Sequence, residues 1–152
     1  LGIISVRQAP RQDVPPDATH LASIEQLTFH ANRVARRNRL AIPLTELLHT
    51  GHERYHSESP REMTCRNLGH DGYAYRWICE AELVWPLKLR HVSVQCEGYH
   101  NDQDQLITTG SCVLRYAIEE HTLTGAGSLE HLRPILASAN VTWRSVAISP
   151  PS

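Results

Sequence analysis

The sequence predicts a mainly β chain: a compact antiparallel β-sandwich-like domain with disulfides, a short helix near the C-terminus, and extended N- and C-terminal arms. Three observations predict it. Bulky apolar residues alternate with polar ones through "YAYRWICEAEL", "HVSVQCE" and "CVLRY", which is the period of strands buried on one face. An Asp-Gly dipeptide at 71–72 and a proline at 86 punctuate these runs, as a tight turn and a strand break would. Finally, Cys65, Cys79, Cys96 and Cys112 all fall within one 48-residue segment, each inside a strand-like run.

The elements follow in chain order. Residues 1–23 mix apolar residues and prolines without a sustained period and read as an N-terminal arm. Residues 24–132 form the domain. Within it "MTCRN" is a strand, "GHDG" turns the chain, and the next strand places Tyr73, Tyr75, Trp77 and Cys79 on one side. Ala74, Arg76, Ile78 and Glu80 share the other side, so Cys79 is expected to face the core. After the break at Pro86, Val92, Val94 and Cys96 share one face, and Cys112, Leu114 and Tyr116 share one face of the strand after that. The result is a meander of about four strands, a size typical of small sheets. The intervening "EGYHNDQDQLITTG" reads as a polar connection with a cysteine at each foot; Asp102 and Asp104 lack the spacing of a calcium loop. Residues 133–152 read as a C-terminal arm.

Composition narrows the function classes. A 152-residue chain that is 41% hydrophobic can bury one core without help from a metal. With 15 Lys and Arg against 16 Asp and Glu, the net charge of -1 provides no basic surface for nucleic acid. The longest apolar runs fall short of the roughly 20 residues that cross a bilayer, and "LGIISVRQAP" lacks the pattern of a signal peptide. The cysteines are 14, 17 and 16 positions apart with no CxxC pair, which favours two disulfides over a zinc site and places the chain in an oxidising compartment. Four cysteines admit three pairings. The one that skips a strand each time, Cys65 with Cys96 and Cys79 with Cys112, is the expected one, because it staples strands that are not neighbours.

These same residues carry a family resemblance. Cys65 and Asn67, the turn Asp71-Gly72-Tyr73, Trp77 with Cys79, then Cys96-Glu97-Gly98-Tyr99 and Gly110-Ser111-Cys112 keep the order and spacing of the SARAF family's luminal domain. SARAF is the store-operated calcium entry-associated regulatory factor. Upstream, Leu27, Thr28, Phe29, Arg36, Arg37 and Pro43 are similar to the family's opening strand. The resemblance covers residues 24–120, and "CEGY…GSC" is its most specific part. It implies a β-rich luminal domain of an endoplasmic reticulum membrane protein that damps calcium entry after store refilling. Family members usually carry further cysteines after the opening strand, where this chain has "LTELLHTGHERYHSESPRE" and none.

That segment brings His49, His52 and His56 together at helical spacing, on a helix expected to start near Thr45. No cysteine or carboxylate completes a zinc site, and a polar surface turn is the expectation. "RVARRNR" holds Arg33, Arg36, Arg37 and Arg39, a basic hairpin end suited to docking on phosphate, carboxylate or headgroups. Asn140 in "NVT" is an acceptor for glycosylation. No G-x-S-x-G turn is present; "GAGSL" lacks the closing glycine. The chain therefore reads as non-enzymatic, with no catalytic residues, cofactor, metal, small-molecule substrate or nucleic acid. Its partners are expected to be membrane-associated proteins, self-association remaining open, in the endoplasmic reticulum lumen or another oxidising compartment. On the SARAF-like reading a transmembrane helix and tail should follow Ser152. The alternative is a non-catalytic accessory subunit of a larger membrane-associated assembly that reuses the fold and docks through its arms.

Overall fold

The computed structural model describes residues 14–37, 40–48, 58–120 and 141–150. The Asp-Gly turn organises its central hairpin. The Asp71 carboxylate accepts the backbone N–H groups of Tyr73 and Ala74, both at 2.9 Å, and Gly72 takes a φ of 101° that a side chain would oppose. Strands β6 (Glu62–His70) and β7 (Tyr75–Val84) fold back on this turn in antiparallel register, with a bulge between Asn67 and Gly69. Tyr75, Trp77, Cys79, Ala81 and Leu83 point inward or are partly covered. Tyr73, expected on that inward face, sits in the turn instead and is 80% exposed.

Two larger sheets result. In one, β6 and β7 lie between β2 (Gln26–His30) and β11 (Thr142–Ile148), in the order β11-β7-β6-β2. In the other, β10 (Val113–Glu120) lies between β8 (Leu87–Gln95) and β5 (Thr45–Leu47). The chain passes from the first sheet to the second at Trp85-Pro86, the break that proline signals. In β8, His91 has a φ of 54°, and the β8–β10 register shifts at this bulge. Leu87, Leu89 and then Val92 therefore all turn inward despite their uneven spacing. Two small ribbons complete the fold: β1 (Ala18–His20) with β9 (Leu106–Thr108), and β3 (Val34–Arg37) with β4 (Leu40–Pro43). Phe29, Met63, Trp77 and Leu83 from one sheet meet Leu89, Val92, Leu114 and Ile118 from the other in a single cluster.

Strand β11 ties the sheets together. It pairs with β7 along its backbone, while its inward side chains reach β8. The Ser145 hydroxyl accepts the Leu89 N–H at 2.9 Å, and the Trp143 indole donates to the Leu87 carbonyl at 2.6 Å. Trp143 also meets Trp85 edge to face.

Four expectations need correction. Residues 142–148, read as part of an extended arm, are a sheet strand; polar Ser145 and small Ala147 hid the inward period that Trp143 begins. The sheets are not wholly antiparallel, because β5 runs parallel to β10. No helix begins at Thr45, which opens β5 and pairs with Leu114. The helix expected near the C-terminus is also unsupported: among the described residues the only helical element is the 3-10 turn Leu21–Ser23, and residues 121–140 lie outside them.

The disulfides of the Cys96 hairpin and its surroundings

The disulfides join Cys65 to Cys79 and Cys96 to Cys112, not the strand-skipping pairs expected from sequence. The reason lies in hairpin geometry. Cys65 and Cys79 stand directly opposite one another in the β6–β7 ladder, on the same face. The Cys96–Cys112 bond continues the β8–β10 ladder one step past the Gln95–Val113 pair. Opposed residues in an antiparallel pair are close enough for their side chains to bond. Both Cα separations are 4.0 Å.

The two bonds have different settings. Cys65 and Cys79 are both fully buried in the core. Cys96 is only partly covered and lines an open groove of about 730 Å³. That groove runs between the β3–β4 hairpin, through Arg37, Leu40 and Ile42, and the start of the loop at Tyr99 and His100. The guanidinium of Arg37 spans the clasp. Its Nε donates to the Ser111 carbonyl at 2.9 Å and its Nη2 to the Gln95 carbonyl at 2.5 Å, the residues just before the two cysteines.

The loop between the cysteines is built rather than merely solvated. The Glu97 N–H donates to the buried Ser111 hydroxyl at 3.0 Å, which explains a serine in "GSC". At Gly98 an added Cβ would lie 1.8 Å from the Asn101 carbonyl oxygen, so "CEGY" requires glycine there. Tyr99 donates its hydroxyl to Asp17 at 2.8 Å, a bond that raises the Tyr99 pKa. The Asp104 carboxylate accepts the Leu106 N–H, then the His100 ring and N–H, and these contacts lower its pKa. Ile107, within the stretch read as polar, is buried in β9.

A second set of bonds centres on Asn67. Its Nδ2 donates to the carbonyls of Leu21 at 3.1 Å and Ile24 at 2.9 Å, and its Oδ1 accepts the Gly69 N–H at 2.8 Å. One side chain thus fixes both the 3-10 turn and the β6 bulge.

Of the arginines suggested for docking, Arg33 and Arg36 are exposed, whereas Arg37 is engaged as described. Arg39, Asn140, His49, His52 and His56 lie outside the described residues. Among the described residues no three His, Cys, Asp or Glu side chains gather as a metal site, and no helix is long and apolar enough to cross a membrane. Sequence reasoning missed the roles of Asn67, Arg37 and Ser145. The first two were visible as motif positions, but their bonds reach 46 and 74 positions along the chain.

Comparison with known proteins agrees with the motif reading. The family model described as "SARAF: SOCE-associated regulatory factor of calcium homoeostasis" matches residues 2–135. The chain is 34% identical over 105 residues to the store-operated calcium entry-associated regulatory factor of Homo sapiens, covering 68% of this chain and 31% of that protein. For the protein of the same name from Rattus norvegicus the identity is 34% over 116 residues, covering 76% of this chain and 34% of the relative. The Danio rerio protein is 31% identical over 104 residues, covering 68% and 30%. The chain thus spans about a third of the length of these curated relatives.

Proposed function

The chain belongs to the SARAF family, and from that premise we propose that it is a non-enzymatic luminal domain that regulates store-operated calcium entry through protein–protein contacts. The observation that carries the reading is the agreement between family and chemistry: the "CEGY…GSC" motif is itself a disulfide clasp around a hydrogen-bonded loop. Motif residues Gly98 and Tyr99 shape a surface there, braced from beneath by the buried Ser111. Two disulfides suit an oxidising compartment, which supports placement in the endoplasmic reticulum lumen, at the membrane. The shared core of the two sheets supports the sandwich-like arrangement. Residues 142–148 being a sheet strand leaves the accessory-subunit reading without that part of the arm by which it would dock.

The placement is tested in cells by protease protection of sealed microsomes combined with alkylation before lysis. A protected chain with no alkylated cysteine is the expected result. A protease-sensitive chain with four alkylated cysteines would contradict luminal residence.

A further inference from the structure

We propose that the Cys96–Cys112 bond is a thiol–disulfide exchange site for a dithiol oxidoreductase, approached through the groove at Cys96, while Cys65–Cys79 is a permanent staple. The inference does not depend on a role in calcium entry. It rests on three features of the described residues. The first is the contrast in access: both sulfurs of one bond belong to fully buried residues, whereas Cys96 lines the groove. Exchange needs a thiolate to reach a disulfide sulfur, so exposed bonds are the labile or regulatory ones. The second is charge. Arg37 bonds the carbonyls just before each cysteine, and a nearby cation stabilises a departing thiolate. The third is what the bond closes. The β8–β10 ladder continues to Gln95 and Val113 without it, so breaking the clasp leaves the sheet paired and removes the covalent closure of loop 97–111 alone.

The exchange is balanced as follows. A thiolate of the dithiol attacks Cys96 Sγ, the new S–S bond forms, and the Cys96–Cys112 bond breaks with its electron pair on Cys112 Sγ, which takes a proton from water. The second thiol of the reagent, losing its proton, attacks its partner sulfur and expels Cys96 as thiolate. The dithiol leaves oxidised as a disulfide, and Cys96 and Cys112 become two free thiols. Attack falls on Cys96 because Cys112 is buried in the core.

The test uses the oxidised full chain with dithiothreitol at neutral pH, quenched at intervals with N-ethylmaleimide and mapped by peptide mass spectrometry. Cys96 and Cys112 should label about tenfold or more faster than Cys65 and Cys79, while near-UV circular dichroism of the core persists. Equal rates, earlier labelling of Cys65 and Cys79, or labelling only as the core signal is lost would overturn the proposal. A thioredoxin-fold oxidoreductase whose resolving cysteine is replaced by serine should be trapped on Cys96; trapping on Cys112, or none, would also overturn it. Arg37→Gln should slow labelling of Cys96 several-fold with Arg37→Lys retaining most of the rate, whereas equal rates in both variants and the unaltered chain would remove the charge argument.

Discussion

Replacing Asn67 by alanine removes three hydrogen bonds at once and should be among the most damaging changes outside the apolar core. The amide donates to two carbonyls of the 3-10 turn and accepts the bulge N–H of Gly69. Each neutral hydrogen bond contributes about 0.5–1.5 kcal/mol net, so the three together give about 1.5–4.5 kcal/mol. The site is part-buried, and water can replace some of what is lost, which places the expected cost near 2 kcal/mol. For a chain of this size that corresponds to a fall in Tm of about 4–8 °C. Urea unfolding supplies the free energy and calorimetry the Tm. A second variant sharpens the test. Asn67→Asp keeps an acceptor for Gly69 but turns a carboxylate oxygen toward the Leu21 and Ile24 carbonyls, so it should cost at least as much as alanine at neutral pH. It should recover partly in acid, when a protonated carboxyl can donate again. A loss below about 0.5 kcal/mol for alanine, or aspartate as stable as asparagine, would refute the assignment of these bonds.

The remaining predictions concern single atoms. Ser145→Ala leaves the Leu89 N–H without its acceptor in a buried setting and should cost about 1–3 kcal/mol in urea unfolding. Gly98→Ala drives a Cβ into the Asn101 carbonyl; a loss of about 1–3 kcal/mol is expected, with faster hydrogen exchange confined to residues 97–111. Asp71 is held below the ordinary 3.8 by the Ala74 and Tyr73 N–H groups, and Asp104 by the Leu106 N–H and then His100. A depressed folded pKa adds stability that is complete above the unfolded value and fades as pH falls through the folded one. The chain should therefore lose stability below pH 3.8, and the double variant Asp71→Asn, Asp104→Asn should flatten that acid limb in pH-dependent unfolding. An unchanged limb would remove these carboxylates from the account.

The central strands were legible because their signals are local. Alternation around Trp77 and Cys79, the Asp-Gly turn and the proline at 86 each act within a few residues. The cysteine pairing was legible too but was misread: Gly72 is the midpoint between Cys65 and Cys79, so a hairpin turning there must place them face to face. Preference for staples between distant strands obscured this symmetry. What stayed out of reach depends on partners far along the chain. The place of β11 beside β7 depends on Trp143 and Ser145 meeting β8, and its own alternation carries a buried serine where an apolar residue was sought. Thr45–Leu47 became a strand because β10, almost 70 positions further along, offers an edge to pair with. Arg37 looked like one of four docking arginines, and only the fold shows it spanning the Cys96–Cys112 clasp.

The most direct measurement of the regulatory role is calcium entry in cells lacking their own store-operated calcium entry-associated regulatory factor. The human protein is supplied with its matching domain replaced by this chain, and cytosolic calcium is followed while stores empty and refill. If the domain is a luminal regulator, the chimera should restore the damping of entry after refilling, and removal of residues 24–120 should abolish it. A chimera that is oxidised, folded and correctly located, yet leaves entry as undamped as in cells with no regulator, would contradict the proposed function.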